Sequence, residues 1–221
     1  MKKKLVIFGA GDIAQLAHYY FSTDTAYEVA AFTVDAGYVD ASEFCGLPVI
    51  PFEDVARLYP PDAHDFFVAL SYSSLNKLRK DKYLAAKARG YRCASYVSSR
   101  ATVLNQDSIG DNCFILEDNT IQPFATIGDN VTLWSGNHVG HHSRIADHCF
   151  IASHCVISGG VQIEEACFIG VNVTLRDHIR IGARCVIGAG ALLLADAEPE
   201  GVYIGPATER SRVPSGRLRK I

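Results

Sequence analysis

The chain has 221 residues, 48% of them hydrophobic, and a formal net charge of −3 at neutral pH. That length suits one or two domains with sizeable cores, and the charge offers neither a field for nucleic acid nor a cationic face for anionic lipid. No apolar run approaches the ~18–20 residues of a membrane span, and Gly11 and Asp12 interrupt the stretch a secretory signal would need, so a cytoplasmic protein is expected.

Residues 4–8 read as a buried strand. Gly9-Ala10-Gly11-Asp12-Ile13-Ala14 then makes a tight turn into a helix reaching about Phe21. This G-x-G-x-x-A form lets backbone N–H groups and a helix N-terminus approach a phosphate; the plainer reading is a glycine turn that only packs strand on helix. A second strand, 28–34, ends at Asp35, about where a ribose-binding acid would lie. Gly9, Gly11, Asp12 and Asp35 are thus candidate substrate ligands. A short strand (47–50), a helix (53–58), a buried strand (66–70), a helix (74–89) capped by Gly90 and a last strand (92–96) follow. Residues 1–96 therefore form a small α/β, Rossmann-like domain with a parallel sheet and room for a mononucleotide. Tyr72, Asn76 and Arg79 follow the carboxyl end of strand 66–70, where ligands of such sheets bind, and join the substrate set. Lys77, Lys80 and Lys82 read as a solvated helix face.

From Val97 to Leu193 every sixth residue is a branched aliphatic. A helix with its period of about 3.6 cannot keep that register; stacked hexapeptide coils must. Cys113, Cys149, Cys155, Cys167 and Cys185 all sit two residues before a register aliphatic, as do Asn137 and Ser143, so they share its inward face. Seven cysteines without CxxC or CxxH spacing argue against a disulfide framework and a zinc knuckle. The β-helix domain spans 97–207, ending in a last turn over 200–207. The tail, 208–221, carries Arg210, Arg212, Arg217, Arg219 and Lys220; it reads as solvated, with a contact to coenzyme phosphates as the sharper alternative.

The one histidine-rich stretch of the array is Trp134-Ser135-Gly136-Asn137-His138-Val139-Gly140-His141-His142-Ser143. Register puts His141 and His142 at a corner, facing solvent or a neighbouring subunit, and puts His148, His154 and His178 at corners too.

Residues 1–207 resemble bacterial sugar acyltransferases of the sialic acid O-acetyltransferase and nucleotide-aminosugar N-acetyltransferase type. The resemblance rests on Gly9-Ala10-Gly11-x-x-Ala14, the uninterrupted hexads and the closing Gly201-Val202-x-x-Gly205-Pro206-Ala207. It implies a left-handed parallel β-helix with three hexads per coil, a homotrimer, and acetyl-CoA between adjacent helices, with no metal. The implied reaction acetylates an amino or hydroxyl group of a nucleotide-linked deoxysugar for surface glycan or polysaccharide synthesis. His141 matches the family's catalytic histidine and would act as general base, with His142 beside it. Gly159, one coil further on, would supply an oxyanion N–H, and Gly159, Val171, Ala189 and Pro206 would hold the coenzyme. The family's carboxylate beside the histidine is missing, since Gly140 and His142 flank His141. Its orienting group is left open among His142, Asn137, His138 and an acid from another coil. Competing readings are a metal-dependent, carbonic-anhydrase-like β-helix enzyme, because His142 and His178 lie two coils apart, a nicotinamide oxidoreductase, and a non-catalytic scaffold that binds sugar nucleotides.

Overall fold

The structure, a computed structural model, describes residues 3–217. In the first domain β1 (Lys3–Phe8), β2 (Tyr27–Val34), β3 (Glu43–Phe44), β4 (Leu47–Pro51) and β5 (His64–Val68) form one sheet in the order β3-β4-β2-β1-β5. All pairings are parallel except that of the edge strand β3 with β4. The central strands are buried on both faces, which is why their sequences are nearly continuous apolar runs. Helix α1 (Asp12–Asp24) covers one face through Ala14, Ala17 and Phe21, spaced to fall on one side of a helix. The other face is covered by the short α2 (Val55–Leu58) and by α3 (Lys77–Ala88), whose Tyr83 and Ala86 pack with Phe8, Phe52 and Phe66.

Two elements differ from expectation. The strand expected over 92–96 is reduced to a bridge between Cys93 and Phe66, while Tyr96–Val97 pairs with Phe114–Ile115. The chain thus leaves one sheet and enters the next within three residues. The helix expected from Ser74 starts at Lys77, because Ser74, Leu75 and Asn76 all take left-handed φ values of 51°, 51° and 63°. That strained turn swings the Asn76 side chain inward, where it is fully buried.

The second domain is a parallel β-helix whose strands stack in three sheets, each residue pairing with the one eighteen positions on, as Phe114 with Thr132 and Thr132 with Phe150. The first face runs from Tyr96–Val97 to Val202–Tyr203, the second from Thr102–Val103 to Leu192–Leu193, and the third from Thr126–Ile127 to Arg180–Ile181. Register aliphatics fill the prism, and the five array cysteines lie inside it as expected. Their thiols donate to carbonyls of the next coil, as Cys149 Sγ does to Glu164 at 3.1 Å. From Asn112 to Gly190 every sixth residue has positive φ, so each corner turns on one left-handed residue. Asn and Gly take that conformation at least cost, which explains the Asp-Asn, Ser-Gly and Gly-Gly corner pairs.

The prism has three edges. Asp111, Asp129, Asp147 and Glu165 line the edge between the third and first faces, one per coil, and two of the aspartates accept an N–H from the coil before: Asp111 N–H reaches Asp129 Oδ1 at 2.8 Å, and Asp129 N–H reaches Asp147 Oδ1 at 2.9 Å. Helix α3 lies along this acid edge. Lys87 pairs with Asp111, Tyr83 donates to Asp129 at 2.8 Å, and Lys80 bridges to Glu165 at 3.2 Å. A helical turn of about 5.4 Å nearly matches coils about 4.8 Å apart, so one side chain per turn meets about one acid per coil. Lys80 therefore does not belong to a solvated face. Neither does Lys82, which pairs with Asp35 at 2.5 Å, whereas Lys77 is exposed and bonds only Asp81.

Arg79, expected at a substrate, is instead the bolt of this contact. It is 1% exposed, and its guanidinium donates to the carbonyls of Asn130 at 2.7 Å, Asn112 at 3.0 Å and, at the limit of 3.5 Å, Val68. Burial pulls its pKa down to about 10, still leaving it a cation at neutral pH. Beside it Asn112 accepts from Val68 N–H at 2.8 Å and donates to Asn130 Oδ1 at 2.8 Å; Asn130 in turn donates to His148 Nδ1 at 3.0 Å. This ladder runs down the left-handed corner positions and requires a bare Nδ1 on His148.

Replacing Arg79 by Met leaves three buried carbonyls short of a donor and is expected to cost about 3–5 kcal/mol in urea unfolding, with Arg79→Lys intermediate. Burial, helped by Lys80, lowers the His148 pKa below its ordinary 6.5. The unfolded chain therefore binds a proton there that the folded chain refuses, so the stabilisation is complete above pH 6.5 and is lost as pH falls below it. The thermal midpoint should drop over that window, and His148→Asn, which continues the asparagine ladder, should flatten the drop.

Candidate functional site

The turn between β1 and α1 opens a cleft of about 520 Å³, lined by Gly9, Gly11, Asp12, Ile13, Ala69 and the segment Leu70–Ser73. Gly9 is required: its φ is 123°, and a Cβ there would lie 2.8 Å from the Ala69 carbonyl. A Cβ on Gly11 would meet nothing, which leaves the N-terminal turn of α1 open to a ligand. Gly9, Gly11, Asp12 and Tyr72 thus come together as expected. Asp35 does not line the cleft and is held by Lys82, whose ammonium also lies over the Phe8 and Phe52 rings. Asn76 and Arg79 are corrected outright. Both are buried against the β-helix, Asn76 Nδ2 reaching the Cys167 carbonyl at 3.4 Å, so neither faces the cleft.

Next to the cleft is an apolar groove of about 390 Å³, which shares Ile13, Ser71 and Tyr72 with it and continues onto the β-helix through Trp134, Phe150, Phe168, Val171 and Ala189. Phe150 and Phe168 stack one coil apart with centroids at 5.9 Å, and the Tyr72 ring tilts onto both at 5.0 and 4.7 Å. The aromatic part of this groove was missed from sequence. Its signal is the outward position just before each register aliphatic, where Phe114, Phe150 and Phe168 fall in one column of the first face. Val171 and Ala189 lie on the edge between the first and second faces, and Gly205 packs onto the Ala189 carbonyl, which brings the expected Pro206 beside the same edge. The tail is exposed as far as it is described, without a contact that would test its role; Arg219 and Lys220 lie outside the described residues.

His141, His142 and Gly159 occupy the remaining edge, between the second and third faces. The His141 N–H donates to Gln122 Oε1 at 2.9 Å and its carbonyl accepts from Gly160 N–H at 2.8 Å, which fixes the backbone. The ring lies against Gly159: a Cβ there would stand 2.6 Å from Cε1 and 2.7 Å from Nε2, so only glycine allows this placement. His141 Nδ1 faces His142 Nδ1 at 3.1 Å. His142 is the left-handed corner residue, and its ring lies 4.7 Å from Phe124, itself left-handed and 66% exposed. From the next coil His178 leans over Gly160, so imidazoles from two coils flank a two-glycine step. Of the groups considered as partners of His141, Asn137 points inward, donating to the Trp134 carbonyl at 2.6 Å, and only His142 makes the contact. Among the described residues no group of three or more His, Cys, Asp or Glu could hold a metal ion, and no helix is long and apolar enough to cross a membrane.

Residues 124–159 and 160–195 match the family described as bacterial transferase hexapeptide (six repeats). No curated protein sequence matches the chain. Among solved structures, PerB from Caulobacter crescentus, in complex with CoA and GDP-perosamine, superposes with a TM-score of 0.80 at 23% identity, over 91% of this chain and 94% of that one. The same fold is described under the name perosamine N-acetyltransferase, in variants with one histidine replaced by Asn or Ala. The acetyltransferase domain of PglB from Neisseria gonorrhoeae gives 0.77 at 24% identity, covering 88% of this chain and 93% of that chain. WeeI from Acinetobacter baumannii gives 0.68 at 18%, covering 91% and 96%. Residues 124–195 therefore carry the repeat of that family model, and the chain has, over both domains, the expected fold shared with these structures, an α/β domain followed by a left-handed β-helix.

Proposed function

We propose that the chain transfers an acetyl group from acetyl-CoA to an amino or hydroxyl group of a nucleotide-linked deoxysugar, in the cytoplasmic synthesis of a surface glycan. The observation that carries this reading is the exposed His141 imidazole seated against Gly159, with the glycine step open beside it. His141 takes the proton from the sugar amine or hydroxyl as that group attacks the thioester carbonyl. The oxyanion that forms is received by the Gly159 N–H, and the thiolate of CoA leaves. The nucleotide phosphates lie at the Gly9–Gly11 turn, and the sugar passes along the Tyr72 and Trp134 groove. The neighbours' names support the amino acceptor.

The site is incomplete in one copy. The α/β domain sits on the first face, and His141 stands on the edge opposite that face, so an acceptor in the cleft is a whole prism away from the histidine of its own chain. A homotrimer solves this by bringing the groove edge of one copy, with Val171, Ala189 and Pro206, against the histidine edge of the next, with acetyl-CoA between them.

Thiol release from acetyl-CoA against a panel of UDP-, dTDP- and GDP-linked amino sugars tests the reading. Turnover with one of them should fall roughly 10²–10⁴-fold in His141→Ala, and in Gly159→Ala the added methyl should displace the ring and lower kcat while the fold is kept. No turnover with any acceptor would favour the scaffold. The only tryptophan, Trp134, lines the groove, so the accepted sugar nucleotide should change its fluorescence saturably, and Tyr72→Ala should weaken that binding by about 1 kcal/mol, roughly fivefold.

A further inference from the structure

We infer that His142 is the positioning residue that holds His141 in its base-competent tautomer; this rests on the transferase reading above. Two ring nitrogens 3.1 Å apart share one proton, since one must donate and the other accept. Of the two ring nitrogens of His141, Nε2 is the nearer to Gly159, 2.7 Å against 3.1 Å for Nδ1 from where a Cβ would stand, and to receive a proton it must be bare. The His141 proton then resides on Nδ1 and is donated to a bare Nδ1 of His142, which carries its own proton on Nε2. A neutral imidazole thus does the work of the absent carboxylate.

The surroundings of His142 are built to hold that acceptor still. Its N–H reaches the Pro123 carbonyl at 3.4 Å, its carbonyl accepts from Gln162 Nε2 at 3.4 Å, and its ring rests on Phe124. Phe124 accepts a left-handed backbone and 66% exposure at that corner, a conformation unfavourable for a bulky residue, and its ring serves as the shelf for His142. The groups packed around the pair, Gln122, Pro123, Phe124, Gly159, Gly160 and Gln162, are uncharged; the titratable ones two coils on along this edge are Asp177 and His178, and Arg144 opens the following strand.

When His141 takes the substrate proton it becomes a cation whose Nδ1–H still points at His142, and the charge strengthens that hydrogen bond. The acceptor therefore stabilises protonated His141. A carboxylate at position 142 would do so more strongly, and an empty corner not at all.

The test compares wild type with His142→Gly, His142→Asn and His142→Asp, all of which suit the left-handed corner. His142→Gly should lower kcat roughly 10–100-fold, as outer partners that set an imidazole's tautomer do, with both KM values near wild type. His142→Asp and His142→Asn, which can accept from His141 Nδ1–H, should recover most of the rate. Undiminished kcat in His142→Gly, or a loss that neither acceptor restores, overturns the inference. A second readout needs no turnover. In ¹⁵N NMR, His141 of the whole protein should carry its proton on Nδ1 and revert to Nε2–H, the form favoured by free imidazole, in His142→Gly. An Nε2–H His141 in wild type sinks the positioning role, whereas absence of transfer with every acceptor, alongside the Nδ1–H form, sinks only the assigned reaction.

Discussion

The near-equality of two spacings, the turn of an α-helix and the stacking distance of β-coils, is what joins this protein into one piece. Because α3 advances about as far per turn as the prism does per coil, its side chains at 80, 83 and 87 can each find an acid on the same edge. Exposed ion pairs of this kind are individually weak. What makes the docking specific is Arg79 beneath them, a cation without water whose charge is dispersed over backbone carbonyls that have no other reason to converge. Carbonyls at successive corners offer their lone pairs at the coil spacing, and the guanidinium fork spans two of them. A lysine would reach one.

Fixing the α/β domain on one face decides what the other two can do. The cleft and the aromatic groove are held beside the edge where the first face ends, and the histidines are left on the edge the domain cannot reach. A rigid prism does not bend to bring them together. On the function proposed above, the distance is closed by another copy of the chain.

The architecture was legible because its signal is periodic. One inward aliphatic per hexad is demanded by the narrow prism, and the small residue two places before it by the same interior, so the cysteines could be placed inside without any structure. The cleft glycines were legible for a similar reason, being forced by backbone approach at Gly9 and openness at Gly11. Arg79 and Asn76 were misjudged because their position after β5 is the usual place for ligands of a parallel sheet, and nothing local reveals that a second domain occupies it. Lys80 and Lys82 look like any solvated helix face until Glu165 and Asp35 are seen opposite them. Contacts across 33 to 91 residues of sequence leave no periodic trace.

The left-handed corner residues carry the last step. Every coil needs one at each edge, and the backbone asks only that it tolerate positive φ, which asparagine and glycine do best. Where those residues stand, the corner is structural, as in the Asn112 and Asn130 ladder. Where they do not, the side chain stands against backbone preference, and at some of these corners its contacts give a reason. His148 has one in the ladder it terminates. Phe124, a bulky residue unsuited to its conformation, and His142 stand on the same edge, one coil apart, each in contact with the next, ending at His141. Departures from the cheapest corner residue occur on all three edges, His148, Ala166 and Arg184 on the acid edge and His154 beside the groove among them, and what sets Phe124 and His142 apart is that their rings touch each other and His141.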